Sequence, residues 1–518
     1  MLNKQSWRPF AGAVFLLTLL SAALFARSLL RIDVLPGKYL FPILAVECLI
    51  LLLSGLLLYR GMNGRASGTR RARRVIGLIL CLLLVTGNLF AFLVLRDLDR
   101  TRELLGSARE RSALVGVYVL NDDAAQTLAD TAQYSYGVLG GFEKSNSEHA
   151  LSEIENRIGS SIAATEFETI SDAAAALRAG EIRALAVNEN HLDLLSESES
   201  FASFSDGLRL IDQILVPLDE EESGVGSFLA SLLPSRKARS EDRTTGKKLE
   251  NSEPFILYLS GNDSRTDMLS NGRSDVNILM VVDPGTAQIL LVSTPRDYYV
   301  QNPALGNGMD KLTHCGLFGP YNSMAALEVL YGVEIDNYCQ INFAGFEKLI
   351  DAMGGVTLNN PQAFRSFSTG YYFPEGEITL DGAQALAFGR ERKAFGSGDL
   401  ERGRNQMRLI SAMVDKAKSS GASLLLNYPS ILESLEGMFA TDLSSEEISA
   451  LVKLAIRELN LWEVKSCSVS GSGGMMRTAA GGDVALYVMW PNADEVSHAS
   501  ELIAKVLAGE RITDADPG

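Results

Sequence analysis

The sequence predicts an α/β protein carried behind three apolar helices, and three observations support that class. Three apolar runs, 10–26, 39–59 and 75–95, open the chain. The second and third have 21 residues each, enough as helices to cross about 30 Å of hydrocarbon. Further on, apolar segments of strand length (255–259, 276–282, 288–294) alternate with segments of helical spacing (321–331, 343–353). Charge divides along the same line: residues 1–100 hold 13 Lys and Arg against 4 Asp and Glu, and the rest holds 34 against 59. At 518 residues the chain has room for two or three domains.

The membrane region is expected over 1–100, with helices at about 10–30, 39–59 and 75–95. In the first run Ser21-Ala22-Ala23 resembles a signal-peptide cleavage region, but a retained helix is the preferred reading, with Arg27 and Arg31 snorkelling at its outer end. Arg60, Arg65, Arg70, Arg71, Arg73 and Arg74 crowd the loop between the second and third runs, a density that marks the cytoplasmic side. The N-terminus is then inside and everything after residue 96 outside: a multi-pass protein of the cell membrane with an extracytoplasmic bulk. Glu47 lies mid-run, where a charge is costly. A protonated or helix-paired Glu at an oligomer contact is the preferred explanation, contact with a lipid-linked substrate the alternative.

An accessory α/β domain is expected over 107–218. Residues 114–120 read as a buried strand, 123–139 as a helix, 151–158 as a short helix and 166–170 as a short strand. Ser171 reads as the N-cap of an alanine-rich helix to 179 with Gly180 past its end, and 182–187 as a strand closed by a turn at 188–190. It carries no catalytic constellation. A polar linker over 219–253 follows, then a larger domain over 254–510 and a tail over 511–518, disordered from Thr513.

Composition excludes several functions. An outer part this acidic is a poor nonspecific ligand for nucleic acid. Four scattered histidines argue against a histidine metal centre or triad. Five cysteines share no CxxC spacing, and only proximity in sequence suggests a Cys315–Cys339 disulfide.

Within 260–408, arginines and aspartates recur at the ends of apolar segments. A strand at 255–259 delivers Gly261-Asn262-Asp263. A Gly/Ser/Asn-rich loop separates Asp263 from Asp275, with Arg273 between them. Segments 276–282 and 288–294 flank Asp283-Pro284-Gly285-Thr286 and so form a hairpin, buried on both faces, that ends in Pro295-Arg296-Asp297. A helix at 380–388, ended by Gly389, leaves Arg390 and Arg392 protruding. A helix at 399–418 puts Arg402 and Gln406 on one face and Arg404 and Arg408 on another, one of the two pairs being structural. Lys311 is either a phosphate contact or a solvated surface lysine. Arginine forks bind phosphate oxygens, and carboxylates bind the hard cation that accompanies pyrophosphate, so the cassette suits a metal-bound phosphate ester.

Asn262-Asp263, Arg273-Ser274-Asp275, Thr294-Pro295-Arg296-Asp297, Asp310-Lys311-Leu312, the stretch 346–355, Leu380 to Leu386, Arg390-Glu391-Arg392 and Asp399 to Gln406 together resemble the LytR-CpsA-Psr family. The match covers about 254–420, and three spans followed by an extra outer domain look like its capsule-associated CpsA branch. The resemblance implies a mixed central sheet flanked by helices and a long apolar pocket for a polyprenyl chain. It implies transfer of a glycopolymer (capsule, teichoic acid or similar) from undecaprenyl pyrophosphate to peptidoglycan, with magnesium or manganese as cofactor. Carried over residue by residue, Asp263 and Asp275 hold the metal. Arg273, Arg296, Arg390, Arg392, Arg402 and Gln406, with Lys311, grip the pyrophosphate, and Asp275, Arg296 and Arg390 act in catalysis, Asp275 or Asp297 qualifying as base. Asn262 and Arg265-Thr266-Asp267 depart from the commonest loop residues. Expected partners are the lipid-linked glycan, peptidoglycan, the membrane and capsule-assembly proteins, with no nucleic acid. The competing readings are a non-catalytic subunit of capsule assembly and a polyprenyl-pyrophosphate hydrolase.

Overall fold

A computed structural model describes residues 4–32, 37–63, 67–107, 111–196, 201, 203–218, 248, 252–263, 269, 271–396, 398–435, 437–457 and 461–513. It divides into two compact units, one of residues 1–106, 420–433 and 444–460, the other of the remainder.

The first unit holds α1 (Lys4–Ile32), α2 (Gly37–Asn63) and α3 (Ser67–Ser107). Each contains a segment long and apolar enough to cross a membrane: Trp7–Leu30, Gly37–Gly61 and Gly68–Leu93, with mean hydropathy 2.1, 2.5 and 2.5. Glu47 pairs within the chain. Buried Asn88 donates its Nδ2 to Glu47 Oε1 at 2.8 Å and to Ser21 Oγ at 3.3 Å, so one amide ties all three helices. Where the alternative partner is hydrocarbon, such a triad holds helices together.

In the second unit the chain first builds β1 (Arg111–Leu120), β2 (Ser135–Leu139), α4 (Lys144–Ile158), β3 (Ala163–Phe167), α5 (Ile170–Ala179), β4 (Ala184–Asn188), α6 (Glu189–Ser196) and β5 (Leu208–Leu218). The sheet order is β3-β2-β4-β1-β5, with β2 parallel to both neighbours and β1 antiparallel to β4 and β5. The helix expected over 123–139 is instead a loop, a 3-10 turn at Leu128–Thr131 and strand β2. Asp123 and Asp130 draw the amides of Ala125, Gln126 and Thr127 onto their carboxylates, which offers the backbone a partner other than helix. Gly137 faces Ile182 so closely that a Cβ would lie 2.3 Å from Ile182 Cδ1. The expected strand at 166–170 ends at Phe167, and the N-cap of α5 is Thr169, not Ser171, accepting from the Asp172 amide at 3.2 Å. The expected turn at 188–190 runs straight into α6.

The larger domain comprises β6 (Phe255–Asn262), β7 (Ser274–Asp283), β8 (Gln288–Ser293), β9 (Tyr299–Asn302), β10 (Gly308–Lys311), α7 (Leu312–Cys315), α8 (Pro320–Tyr331), β11 (Asn337–Asn342), α9 (Phe343–Ala352) and β12 (Val356–Asn360). There follow β13 (Phe364–Arg365), β14 (Tyr372–Phe373), β15 (Gly376–Leu380), α10 (Gly382–Arg390), α11 (Asp399–Ser434), β16 (Phe439–Thr441), α12 (Ser445–Arg457), β17 (Glu463–Ser468), β18 (Gly471–Arg477), β19 (Ala485–Pro491) and α13 (Ala493–Leu507), of which α12 and residues 420–433 of α11 belong to the first unit. Its centre is a mixed six-stranded sheet, β16-β11-β6-β7-β8-β17. β6 pairs parallel with β11 and β8 with β17, while β7 is antiparallel to β6 and β8. Strands β6, β8, β11 and β17 therefore end at the edge where β7 begins.

Alternation along the strands decides which side chains meet which layer. Ile256, Tyr258, Leu279, Val281, Leu290 and Val292 pack on Leu327 of α8 and on Leu502, Ile503 and Val506 of α13. Each such side chain contributes roughly 1.5–3 kcal/mol on burial. The opposite face carries Leu257, Leu259, Ile278, Met280 and Leu291, of which Leu259 and Met280 are half-buried. Strand 356–358 does not join this sheet but pairs with β15. The helix expected at 380–388 starts later. Leu380 closes β15, Asp381 caps α10 through the Gln384 amide at 2.8 Å, and Gly389 lies inside the helix. Helix 399–418 continues to Ser434. Nor is the chain loose from 511: buried Ile512 belongs to the main core, and its amide donates to Gln288 Oε1 at 3.1 Å. All five cysteines are free thiols. Residues 514–518, and nearly all of the linker over 219–253, lie outside the described residues, as do 264–268.

Candidate functional site

The edge where four strands end and β7 begins gathers the charged residues. Register places Asn262 opposite Ser274, so Asp263 and Arg273 become neighbours, and the Asp263 amide donates to the Arg273 carbonyl at 3.3 Å. Arg273 then clamps Asp263 Oδ2 from Nε at 2.9 Å and Nη2 at 2.6 Å. One strand further, β8 ends at Ser293, and Pro295 turns the chain so that Arg296 reaches back over β7. Its Nη1 donates to Asp275 Oδ1 at 2.7 Å, and its Nε lies 3.8 Å from Asp297 Oδ2. The Arg296 carbonyl accepts from the Thr313 amide at 2.8 Å, while the Thr313 hydroxyl donates to Asp275 Oδ1 at 3.4 Å. Thr313 is a site residue that sequence reasoning missed. It lies 38 positions from Asp275, and no local pattern marks it.

Lys311 is no solvated lysine: it is buried, with Nζ 3.3 Å from Asp297 Oδ1. Arg402 reaches the cluster because Gly403 lets α11 approach the end of β8; a Cβ there would lie 2.9 Å from Ser293 Oγ. Buried Arg402 pairs with Asp399 at 2.7 Å. The structural pair is the other one: Arg404 and Arg408 donate to Glu401 at 3.1 and 2.6 Å. Gln406 spends its Nε2 on the Gly389 carbonyl at 3.2 Å, locking α10 to α11. Arg390 and Arg392 are exposed and, among the described residues, make no ion pair. Arg390 rests on the Phe343 ring, 4.2 Å from its centroid, just past the end of β11. The cluster therefore unites Asp263, Arg273, Asp275, Arg296, Asp297, Lys311 and Arg402, with Arg390 at the neighbouring strand end and Gln406 in a helix contact.

Cations and carboxylates alternate through the cluster. Burial raises the Asp275 carboxyl, but Arg296, Arg402 and Arg273 outweigh it and hold it below the usual range. Burial lowers Arg296, but Asp275 and Asp297 outweigh it and push it up. Arg402 behaves oppositely. Burial, with Arg296 beside it, pulls its guanidinium below the ordinary value in spite of Asp399, Asp275 and Asp297. Among the described residues the buried Arg296 Nε makes no hydrogen bond. That donor is left for a further acceptor.

For a divalent cation the site offers the two carboxylates Asp263 and Asp275. No group of three His, Cys, Asp or Glu suited to a metal occurs among the described residues. Both are the hard oxygen donors such a cation takes, with Asp263 Oδ2 and Asp275 Oδ1 bonded by Arg273 and Arg296.

The sequence pattern of the LytR_cpsA_psr family matches residues 230–498, just over half of the chain. The chain belongs to this family. Similar curated members are two proteins named polyisoprenyl-teichoic acid–peptidoglycan teichoic acid transferase TagU. That of Oceanobacillus iheyensis is 40% identical over 203 residues, which are 38% of this chain and 61% of the relative. That of Enterococcus faecalis is 36% identical over 230 residues, 44% of this chain and 73% of the relative. A solved structure titled TagT bound to LIIa-WTA is 25% identical, covering 51% of this chain and 92% of that one, with a TM-score of 0.41. The LytR_cpsA_psr match spans both carboxylates and every arginine of the cluster.

Proposed function

We propose that this chain is a membrane-anchored phosphotransferase that moves a glycopolymer from a polyprenyl pyrophosphate to peptidoglycan, outside the membrane. The observation that carries the proposal is geometric: Arg273, Arg296 and Arg402 converge at the strand ends, and the buried Arg296 Nε makes no hydrogen bond among the described residues. Pyrophosphate oxygens would accept from such donors. Phosphoryl transfer asks little covalent work of a protein and much positioned positive charge, and this is what the strand ends assemble. Arg273, Arg296 and Arg402 face the pyrophosphate, with Arg390 and Arg392 at its exposed side. Lys311 orients Asp297, and Gln406 orients α10. Asp263 and Asp275 would hold magnesium or manganese, which would neutralise charge on the pyrophosphate. The prenyl chain would lie against the apolar sheet face at half-buried Leu259 and Met280. The names of the TagU relatives favour a teichoic-acid-type polymer over a capsular one. The arginines on the facing ends of α2 and α3 (Arg60, Arg70, Arg71, Arg73 and Arg74) favour the outward orientation.

The test is transfer of a radiolabelled, polyprenyl-pyrophosphate-linked sugar to peptidoglycan fragments by the full-length protein in liposomes, with magnesium and with chelator. Magnesium-dependent transfer that Arg296→Ala abolishes is the expected result. Release of sugar phosphate without a wall product would assign a hydrolase. Tight binding without turnover would assign a non-catalytic subunit.

A further inference from the structure

Between β12 and β15 the chain makes a small hairpin, β13 and β14, that sets three large aromatic side chains on the surface. Phe367 is 73% exposed, Tyr372 59% and Tyr371 41%. The hairpin is built to hold them there. The Phe364 ring lies 4.9 Å from Phe373, 5.3 Å from Phe388 and 4.7 Å from Phe395, a rigid aromatic base. Gly370 turns the chain at φ +76°, its carbonyl accepts from Arg365 Nη1 at 2.6 Å, and the Ser366 amide donates to the Tyr371 carbonyl at 2.8 Å. A cluster of exposed rings on a fixed support is an interaction surface rather than a packing remnant.

Its position says what it meets. The Phe367 amide donates to Glu391 Oε2 at 2.6 Å, and Glu391 stands between Arg390 and Arg392. That hydrogen bond ties the aromatic tip to the segment that carries the two exposed arginines. Cations accompany the rings: Lys393 Nζ sits 4.6 Å from the Phe367 centroid, and Arg365 sits 5.6 Å from that of Tyr372. A basic, aromatic strip in an otherwise acidic outer part selects an anionic partner with flat apolar faces.

We propose that this hairpin is the subsite for the donor's glycan. The sugar rings nearest the pyrophosphate stack on Phe367 and Tyr372, and Arg365 and Lys393 face the anionic groups of the polymer. The proposal rests on the reading of Arg390 and Arg392 as pyrophosphate ligands, because the glycan begins where the pyrophosphate ends. Pyranose rings present C–H faces that suit aromatic surface and edge hydroxyls that suit the phenolic tip of tyrosine.

The test uses the full-length protein in detergent, with Phe367→Ala/Tyr372→Ala compared with wild type. The probes are undecaprenyl pyrophosphate alone and the same lipid bearing a phosphorylated disaccharide. Wild type is expected to bind the sugar-bearing lipid more tightly. The double variant is expected to lose about tenfold for that lipid and nothing for the bare one. Equal losses for both lipids, no loss, or a wild type indifferent to the sugar overturns the proposal. So does lost binding to anionic phosphatidylglycerol vesicles with sugar discrimination intact, which assigns the rings to the membrane surface. An Arg390→Ala/Arg392→Ala variant separates the two readings, since loss of the pyrophosphate ligands weakens both lipids alike.

Discussion

Replacing Arg296 by alanine removes the group that two carboxylates share. In the native site Arg296 Nη1 lies 2.7 Å from Asp275 and Nε 3.8 Å from Asp297, and all three side chains are largely buried. Breaking one side of a buried pair costs about 3–5 kcal/mol, because a charge stays behind without its partner. Here Arg402 and Arg273 still act on Asp275, so the lower end applies, about 3 kcal/mol. In a chain of several units one melting temperature is not a clean measure. Amide exchange in β7 and β8 is the better readout, and about 3 kcal/mol corresponds to roughly 10²-fold faster opening. Activity should fall further than stability, by about 10²–10³-fold, through loss of a positioned charge on the transferring phosphoryl group. The two effects separate in the double variant Arg296→Ala/Asp275→Asn. Removing the stranded charge restores most of the protection in β7 and β8 but none of the transfer. The reasoning is refuted if Arg296→Ala transfers within about threefold of wild type, or if the double variant opens as readily as the single.

Three further outcomes are expected. Arg402→Ala lowers transfer about 10²-fold, whereas Arg404→Ala, at a half-exposed residue that pairs with Glu401, leaves it within about twofold; a parallel transfer assay checks both. Burial raises the Glu391 carboxyl, but hydrogen bonds from Phe367, Ala394, Ser366 and Arg392 outweigh it and hold it below the usual range. Its contribution to the hairpin is therefore complete above the unfolded carboxyl value of about 4.3 and lost as pH falls through the lower folded value. Exchange at the Phe367 amide, corrected for intrinsic rate, rises in that acid window in wild type, whereas in Glu391→Gln it is already raised above the window and does not change through it. Asn88→Leu strips Glu47 and Ser21 of their shared partner and lowers stability in detergent by about 1 kcal/mol, read from an unfolding titration of the full-length protein.

Local pattern alone determined much of the chain. Three spans are long enough to cross hydrocarbon, because length and apolarity are local properties. The Asp283-Pro284-Gly285-Thr286 turn between two apolar runs requires the β7–β8 hairpin, and with it the position of Arg296 at a strand end. The order of the charged motifs was enough to indicate the family. Tertiary contacts decided what each charge does. Arg402 and Arg404 are indistinguishable by helical spacing, yet one is buried among carboxylates and the other shares Glu401 with Arg408. Lys311 stays open between phosphate contact and surface lysine until Asp297 is found beside it, and Glu47 has no named partner until α3 brings Asn88. Helical spacing also misled over 123–139, where aspartate side chains and a close approach at Gly137 outweighed periodicity. The physical reason is common to all of these. Periodicity records which face of an element is apolar, whereas the state of a charge depends on groups tens of residues away in sequence and about 3 Å away in space.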